Sequence, residues 1–163
     1  MPLDQTRALT IEEAEAQDEA ARMFVTLMLG NQLCGIPVLS VRDVLGGEQT
    51  ITRIPLARPE IAGSLNLRGR IVTAIDLRRR LQMPPPDGDA RPMAVVTEHG
   101  GELYALLVDD VSEVTTLPAT AFEATPPTLP PIWASHSAGI YRLPAGLLVV
   151  LDIARVLALG AEH

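Results

Sequence analysis

Residues Gly63 to Leu81 read GSLNLRGRIVTAIDLRRRL. Apolar residues alternate through Leu65 and Leu67, as in a strand with one buried face. They then run nearly unbroken from Ile71 to Ile75, as in a strand with two. Between the two segments Arg68 and Gly69 form a two-residue turn, with Gly69 supplying the backbone freedom such a turn needs. Asp76 stands where a carboxylate accepts from the free N–H groups that open a helix, and Leu77 to Leu81 supplies the helical turn. The stretch predicts a hairpin followed by a capped helix.

The chain writes this stretch twice. Gly139 to Leu157, GIYRLPAGLLVVLDIARVL, aligns on it at an offset of 76, with Gly63 on Gly139, Asp76 on Asp152, Arg79 on Arg155 and Leu81 on Leu157. Ahead of it, Met93 to Val114 aligns without a gap on Met23 to Val44 at an offset of 70. There Gly30 meets Gly100, Val41 meets Val111, Asp43 meets Glu113 and Val44 meets Val114. Two blocks in the same order, with glycines and acids in register, imply a duplicated unit of about five short strands. Two such small barrels or curled sheets bury a face against each other, since neither alone has much core. The difference between the offsets falls in the proline-rich segment Pro118 to Trp133, which only the second half carries.

Outward from these blocks, residues 1–21 are acidic and short of large apolar residues, and they read as a flexible tail. One domain then spans 22–160, with a first repeat over about 22–83, a connector at 84–91 (PPPDGD and its flank) and a second repeat over about 92–160. MFVTLML and QLCGIPV, joined at Gly30-Asn31, predict a hairpin. Leu39 to Leu45 continues apolar, and Thr50 to Pro59 reads as an edge strand and loop because its prolines cannot donate to a ladder. The chain has 163 residues, is 47% hydrophobic and only 3% aromatic, so its core rests on Leu, Val, Ile and Ala. The formal charge is -7, with every Lys-or-Arg position an arginine. An acidic, aromatic-poor chain lacks the basic field and stacking surface that nucleic acid requires, which leaves a small-barrel nucleic-acid module as a weak alternative. No signal pattern or membrane-length apolar run is present, and a single cysteine fits a reducing, cytoplasmic setting.

The search for chemistry yields no active site. His99, His136 and His163 lack metal-ligand spacing, and one cysteine cannot build a thiolate site. Cys34, beside Leu33 and Ile36, reads as a small buried hydrophobe rather than a nucleophile. Asp109 and Asp110 read as solvated charges at a strand end. Asp76 and Asp152 are assigned to helix capping rather than catalysis, because each precedes a helix in its own repeat. No enzyme, cofactor or metal is expected. What remains is a cluster of arginines, Arg68, Arg70, Arg78, Arg79 and Arg80, which suits either a solvated face or a docking patch for acidic or carbonyl-rich partners.

With those residues in view, NLRG at Asn66 to Gly69 followed by I-V-x-x-I-D-L at Ile71 to Leu77 resembles the signature of the CheW family of chemotaxis coupling proteins. V-R-D-V-L at Val41 to Leu45 fits as well, and the resemblance spans about Met23 to Leu157. It implies two intertwined five-stranded, SH3-like β-subdomains with short helices, a mostly β fold. It also implies a non-enzymatic scaffold that joins the cytoplasmic tips of transmembrane chemoreceptors to the regulatory domain of the histidine kinase CheA, a domain that itself resembles CheW. Localisation would be cytoplasmic, with recruitment to membrane-associated receptor arrays. Carried over by position, Val41, Asp43 and Val44 match the family's kinase-contact surface, with Asp43 where glutamate is usual. Arg68 matches an arginine needed for coupling, Arg70 flanks it, and Gly63 and Gly69 match turn glycines. Receptor binding is expected in the groove between subdomains. The resemblance leaves open an adaptor role in a chemosensory pathway other than flagellar swimming.

Overall fold

The computed structural model describes residues 22–88 and 91–159; the expected tail at 1–21 and part of the connector lie outside the described residues. Among the described residues ten strands appear in chain order: β1 Arg22–Leu29, β2 Gln32–Pro37, β3 Val41–Leu45, β4 Ile61–Leu67, β5 Arg70–Asp76, β6 Met93–His99, β7 Glu102–Val108, β8 Asp110–Leu117, β9 Ser137–Leu143 and β10 Gly146–Leu151. Among the described residues three one-turn α-helices accompany them, α1 Leu77–Arg80, α2 Pro131–Ala134 and α3 Ile153–Val156. The strands form two five-stranded sheets, ordered β8-β1-β2-β10-β9 and β3-β6-β7-β5-β4. Copy and sheet do not coincide. Each sheet takes an N-terminal hairpin from one repeat and a C-terminal hairpin from the other.

The two hairpins in a sheet meet along a parallel pair, β10 on β2 and β5 on β7. The registers of these pairs obey the duplication. Thr73 faces Tyr104 and Ala74 faces Ala105 in one sheet, while Val149 faces Cys34 and Val150 faces Gly35 in the other. Each member is its counterpart shifted by 76 or 70. The irregularities repeat as well: Val95 faces Val44 and Thr97 faces Val41 across a bulge, as Val25 faces Val114 and Leu27 faces Val111.

Gly63 corrects the sequence reading. It lies inside β4, at the register shift between Ile61 and Gly63, and not in a turn. Its φ is +149° and a Cβ there would collide with the Thr52 carbonyl oxygen. Gly139 repeats the arrangement, with a Cβ meeting the Glu123 oxygen at 2.6 Å. Both glycines admit a close crossing strand, Thr52 bridging Ser64 and Glu123 bridging Ile140. The expected edge strand at Thr50 to Pro59 is therefore a single bridge and a loop, since its prolines supply no donors.

Alternation along β5 and β10 divides the interior into three cores. Val72 and Ala74 point into one barrel with Leu65, Val96 and Ala105, whereas Leu148 and Val150 point into the other with Phe24 and Tyr141. Ile75, Val149 and Leu151 point the opposite way, into a larger core shared by both sheets with Leu27, Leu77, Leu106 and Val156. The apolar runs read from sequence are thus central strands buried on both faces. Each such Val, Leu or Ile stabilises by about 1.5–3 kcal/mol through removal from water. Ile71 departs from the pattern: it is the second residue of β5, next to the hairpin turn, and is 72% exposed.

Two arginines from the sequence cluster belong to this frame. Arg80 is buried, and its guanidinium donates to the carbonyls of Val156 (2.8 Å) and Arg155 (3.0 Å) at the end of α3. A residue of the first repeat thus satisfies helix-end acceptors of the second. Arg78 forks onto Asp109 through Nε at 2.7 Å and Nη2 at 2.5 Å, and the Gly30 N–H donates to the same carboxylate at 2.7 Å. Asp109 is therefore not the solvated charge expected of it; it clamps α1 to the β1–β2 turn.

Arg80→Ala removes these donors from a dry site, and its unfolding free energy in urea is expected to fall by about 2–4 kcal/mol. The exposed neighbour Arg79→Ala should change it by under about 0.5 kcal/mol. The Arg78 hydrogen bond holds the Asp109 carboxyl below its usual value against the opposing effect of burial. A depressed folded value means stabilisation that is complete above the unfolded value of about 4 and drains away as pH falls through the folded one. Asp109→Asn should cost about 1–2 kcal/mol at neutral pH after allowance for partial exposure. The gap from the parent protein should then narrow below about pH 4.

Candidate protein-docking site

β3 is an edge strand, so one row of its backbone groups has no ladder partner. Along it Val41 is half-buried against the shared core, Asp43 is half-buried and Val44 is 39% exposed. Asp43 spends one carboxylate oxygen on the Val44 N–H at 2.8 Å. The other accepts from Arg68 Nη2 at 2.9 Å. Two residues singled out separately in the sequence are thus one ion pair, spanning from the edge strand to the β4–β5 hairpin.

The hairpin is built to present that arginine. Leu67 pairs with Arg70, so Arg68 and Gly69 are the two loop residues, with φ of +52° and +85°. Both positive values define the turn whose twist matches the flanking strands. Gly69 takes this conformation freely, whereas Arg68 pays a steric penalty of about 1 kcal/mol. The Asn66 side chain steadies the turn by accepting from the Gly69 N–H at 2.8 Å. The Arg68 side chain stays 77% exposed despite its ion pair. Arg70 and Ile71 are exposed on the same hairpin. Sequence reading placed Ile71 in the core; the signal that would have freed it is its position one residue beyond a two-residue turn, at the outer end of the hairpin.

The second repeat carries only part of this surface. Val111, Glu113 and Val114 occupy β8, the corresponding edge of the other sheet, with Val114 51% exposed. At the position of Arg68 the second hairpin has Pro144, so the edge acid has no matching arginine. Arg79 stays on the surface beside Asp76, 64% exposed, while Arg78 and Arg80 are committed internally.

A second surface lies where the chain crosses from β2 to β3. Met23, Phe24, Val38, Leu39, Phe122 and Ile153 are among the walls of an apolar cleft of about 710 Å3. Leu39 is 90% exposed at its rim and Met23 51%. Sequence reading took Leu39 as the start of a continuing strand. The structure places it in a single helical turn at Val38–Ser40, set up by Pro37, so its side chain belongs to no sheet face.

The residues weighed for chemistry have structural occupations. Asp76 accepts from the N–H groups of Arg78 (3.0 Å) and Arg79 (3.3 Å), and Asp152 from that of Arg155 (3.2 Å). Cys34 is fully buried and burial pushes its thiol far above the usual range. His136 is buried, with Nδ1 at 2.7 Å from the Ile132 carbonyl. Among the described residues no group of His, Cys, Asp and Glu is arranged to hold a metal, and no helix is long and apolar enough to cross a membrane.

The CheW-like domain family matches this chain over residues 23–160. A chemotaxis protein CheW from Klebsiella aerogenes is 30% identical over 143 residues, covering 88% of this chain and 86% of that protein. A probable chemotaxis protein CheW from Rhizobium etli is 26% identical, covering 83% and 87%. Among solved structures, the scaffolding protein CheW of Thermoanaerobacter tengcongensis superposes with a TM-score of 0.77 at 25% identity, over 86% of this chain and 95% of that one. The family match takes in both repeats, the edge strands β3 and β8 and the capped helices α1 and α3, and on that ground the chain belongs to the CheW family.

Proposed function

We propose that this protein is a non-enzymatic chemotaxis scaffold that couples transmembrane chemoreceptors to the histidine kinase CheA. The kinase's regulatory domain docks on the β3 edge and the β4–β5 hairpin, through Val44, Asp43, Arg68 and Arg70, with Val41 supporting the strand from beneath and Ile71 adding apolar area. The receptor tip occupies the cleft rimmed by Met23 and Leu39. The protein works in the cytoplasm, on receptor arrays at the membrane.

One observation carries this reading: an ion pair held on an open strand edge by a strained arginine, beside an exposed valine. A surface pair contributes at most about 1 kcal/mol to folding, which barely offsets the strain of a left-handed arginine. Folding alone gives little reason for Arg68, and docking gives one. The guanidinium fork offers further donors to a partner while Asp43 fixes its direction. An edge strand also lets the partner satisfy its unpaired backbone groups, with Val44 as the apolar anchor. The second edge, lacking the arginine, sets the contact apart from a general property of the fold.

A scaffold with two docking faces biases a kinase only through differential affinity for the receptor's states, a coupling of about 1–3 kcal/mol. Arg68→Glu should keep the circular dichroism of the parent and its unfolding free energy within about 1 kcal/mol, because the pair is exposed. Receptor-controlled CheA activity should fall at least about tenfold, since 1.4 kcal/mol is a factor of ten. A folded Arg68→Glu variant with undiminished coupling would retire the assignment.

A further inference from the structure

Behind the wall of the cleft at Leu39 lies a polar group without a partner. Phe24 and Phe122 belong to that wall, and both rings pack on Tyr141, which is 1% exposed. The Tyr141 ring meets Phe24 edge-on at 5.5 Å and Phe122 at 5.4 Å between centroids. Its hydroxyl is buried and makes no hydrogen bond. A buried hydroxyl left unsatisfied costs about 1–3 kcal/mol, so its presence needs a reason.

The fold does not supply that reason. Under the offsets of 76 and 70, the other barrel has Leu65 in place of Tyr141, Ala94 in place of Phe24 and Pro92 in place of Arg22. Leu65 and Ala94 are buried together in an apolar core. The matching strands therefore close a barrel with no phenol, no phenyl ring and no cation at these positions.

Arg22 is exposed on the same cleft, with its guanidinium carbon 5.6 Å from the centre of the Phe122 ring. Its charge reaches the phenol as well: burial pushes the Tyr141 hydroxyl up, and Arg22 works against that rise. The nearby carboxylates are engaged elsewhere. Asp152 accepts from the Arg155 N–H and lies 3.5 Å from Arg155 Nε. Glu123, next to Phe122, accepts from Arg142 Nε at 3.0 and 3.2 Å. Among the described residues no carboxylate pairs with Arg22. The cleft thus joins apolar walls to one exposed cation and one unused donor.

We infer that the cleft receives an apolar protein segment bearing one carboxylate, which pairs with Arg22 and, as the Phe122 ring turns aside, accepts from the Tyr141 hydroxyl. The inference rests on the reading of this cleft as a docking surface, and it adds the chemistry of what docks. At about 710 Å3 the cleft is within the range of ligand-binding clefts, and Met23, Val38 and Leu39 face the apolar part of the segment. Phe122 is half-buried in the loop before β9, whereas Phe24 is 2% exposed within β1, so Phe122 is the ring with room to move. A hydroxyl donating to a carboxylate makes a charge-assisted bond, about twice as strong as a neutral one. Exclusion of water by the apolar walls strengthens both contacts.

Fluorescence anisotropy on the full chain tests this with two labelled synthetic peptides of about 15 residues, each with a leucine-rich helical face. They differ only in a glutamate or a glutamine beside that face. The glutamate form should bind at least about threefold tighter. Arg22→Gln should bring the two peptides level. Tyr141→Phe should narrow the preference while leaving urea unfolding unchanged or slightly more difficult, because the hydroxyl it removes has no partner in the free protein. Equal binding of both peptides to the parent, lost in Leu39→Asp, would refute the carboxylate subsite and leave the cleft reading standing. A glutamate preference that survives Arg22→Gln would place the contact elsewhere and end the proposal. A preference unchanged in Tyr141→Phe would remove the phenol from it. Binding of neither peptide would overturn the subsite and the cleft reading together.

Discussion

Each sheet is joined along a parallel pair of strands from different repeats, β5 on β7 and β10 on β2. These two ladders are the constraint on which the rest depends. Because the hairpins on either side come from opposite halves of the chain, neither half can close a barrel by itself. Parallel pairing also requires a long connection between the strands it joins, which sets a folding cost in chain closure before the ladder forms. The shared core then rewards that closure. Ile75 and Val149 face it from the two parallel pairs, and Leu77 and Val156 face it from the helices that follow. Arg80 and the Arg78–Asp109 clamp sit on the same seam, so the polar ties between the sheets lie beside the apolar ones.

That economy explains where the surface is free to vary. Central strands are buried on both faces and tolerate little change. The edges β3, β4, β8 and β9 and the hairpin turns carry fewer packing obligations. The Asp43–Arg68 pair bridges an edge to a turn, and the cleft at Leu39 opens where the chain passes from one sheet to the other. The surfaces proposed for docking therefore lie where the fold demands least, on a frame rigid enough to hold them in place.

Much of the fold was legible because duplication doubled the signal. Gly63 and Gly139, or Asp76 and Asp152, would each be ambiguous alone; their shared register separates them from chance. The strands β4 and β9 span the same positions under the offset of 76, as do α1 and α3. Exchange of hairpins between sheets was not readable from the residues, since strand patterning says which face is buried and not which partner buries it. It entered through the family resemblance. The arginine cluster was legible as composition only. Whether Arg80 is buried or Arg79 exposed depends on where α3 ends, a contact between residues 76 positions apart. The Asp43–Arg68 pair has the same character: both residues stood out, yet their meeting is a product of barrel curvature that no local pattern encodes. Leu39 and Ile71 were misplaced because hydrophobicity was taken as burial, although surfaces of folded proteins are themselves largely apolar.

The duplication also separates what the fold needs from what has been added to it. Among the described residues the non-glycine positions with positive φ are Leu56, Arg68 and Gln82, and all three fall in the first repeat. Counterparts of Arg68 and Gln82 in the second repeat are Pro144 and Ala158, and neither is left-handed. Backbone strain of this kind persists only where the surroundings over-determine it or where a contact compensates for it. The second copy shows that the architecture closes without it, since the same strands, bulges and helix caps form there with relaxed residues. Strain confined to one of two otherwise matching halves is therefore not a requirement of the barrel. It marks where the two repeats differ: Arg68 at one end of β4, and Leu56 with Gln82 at the other.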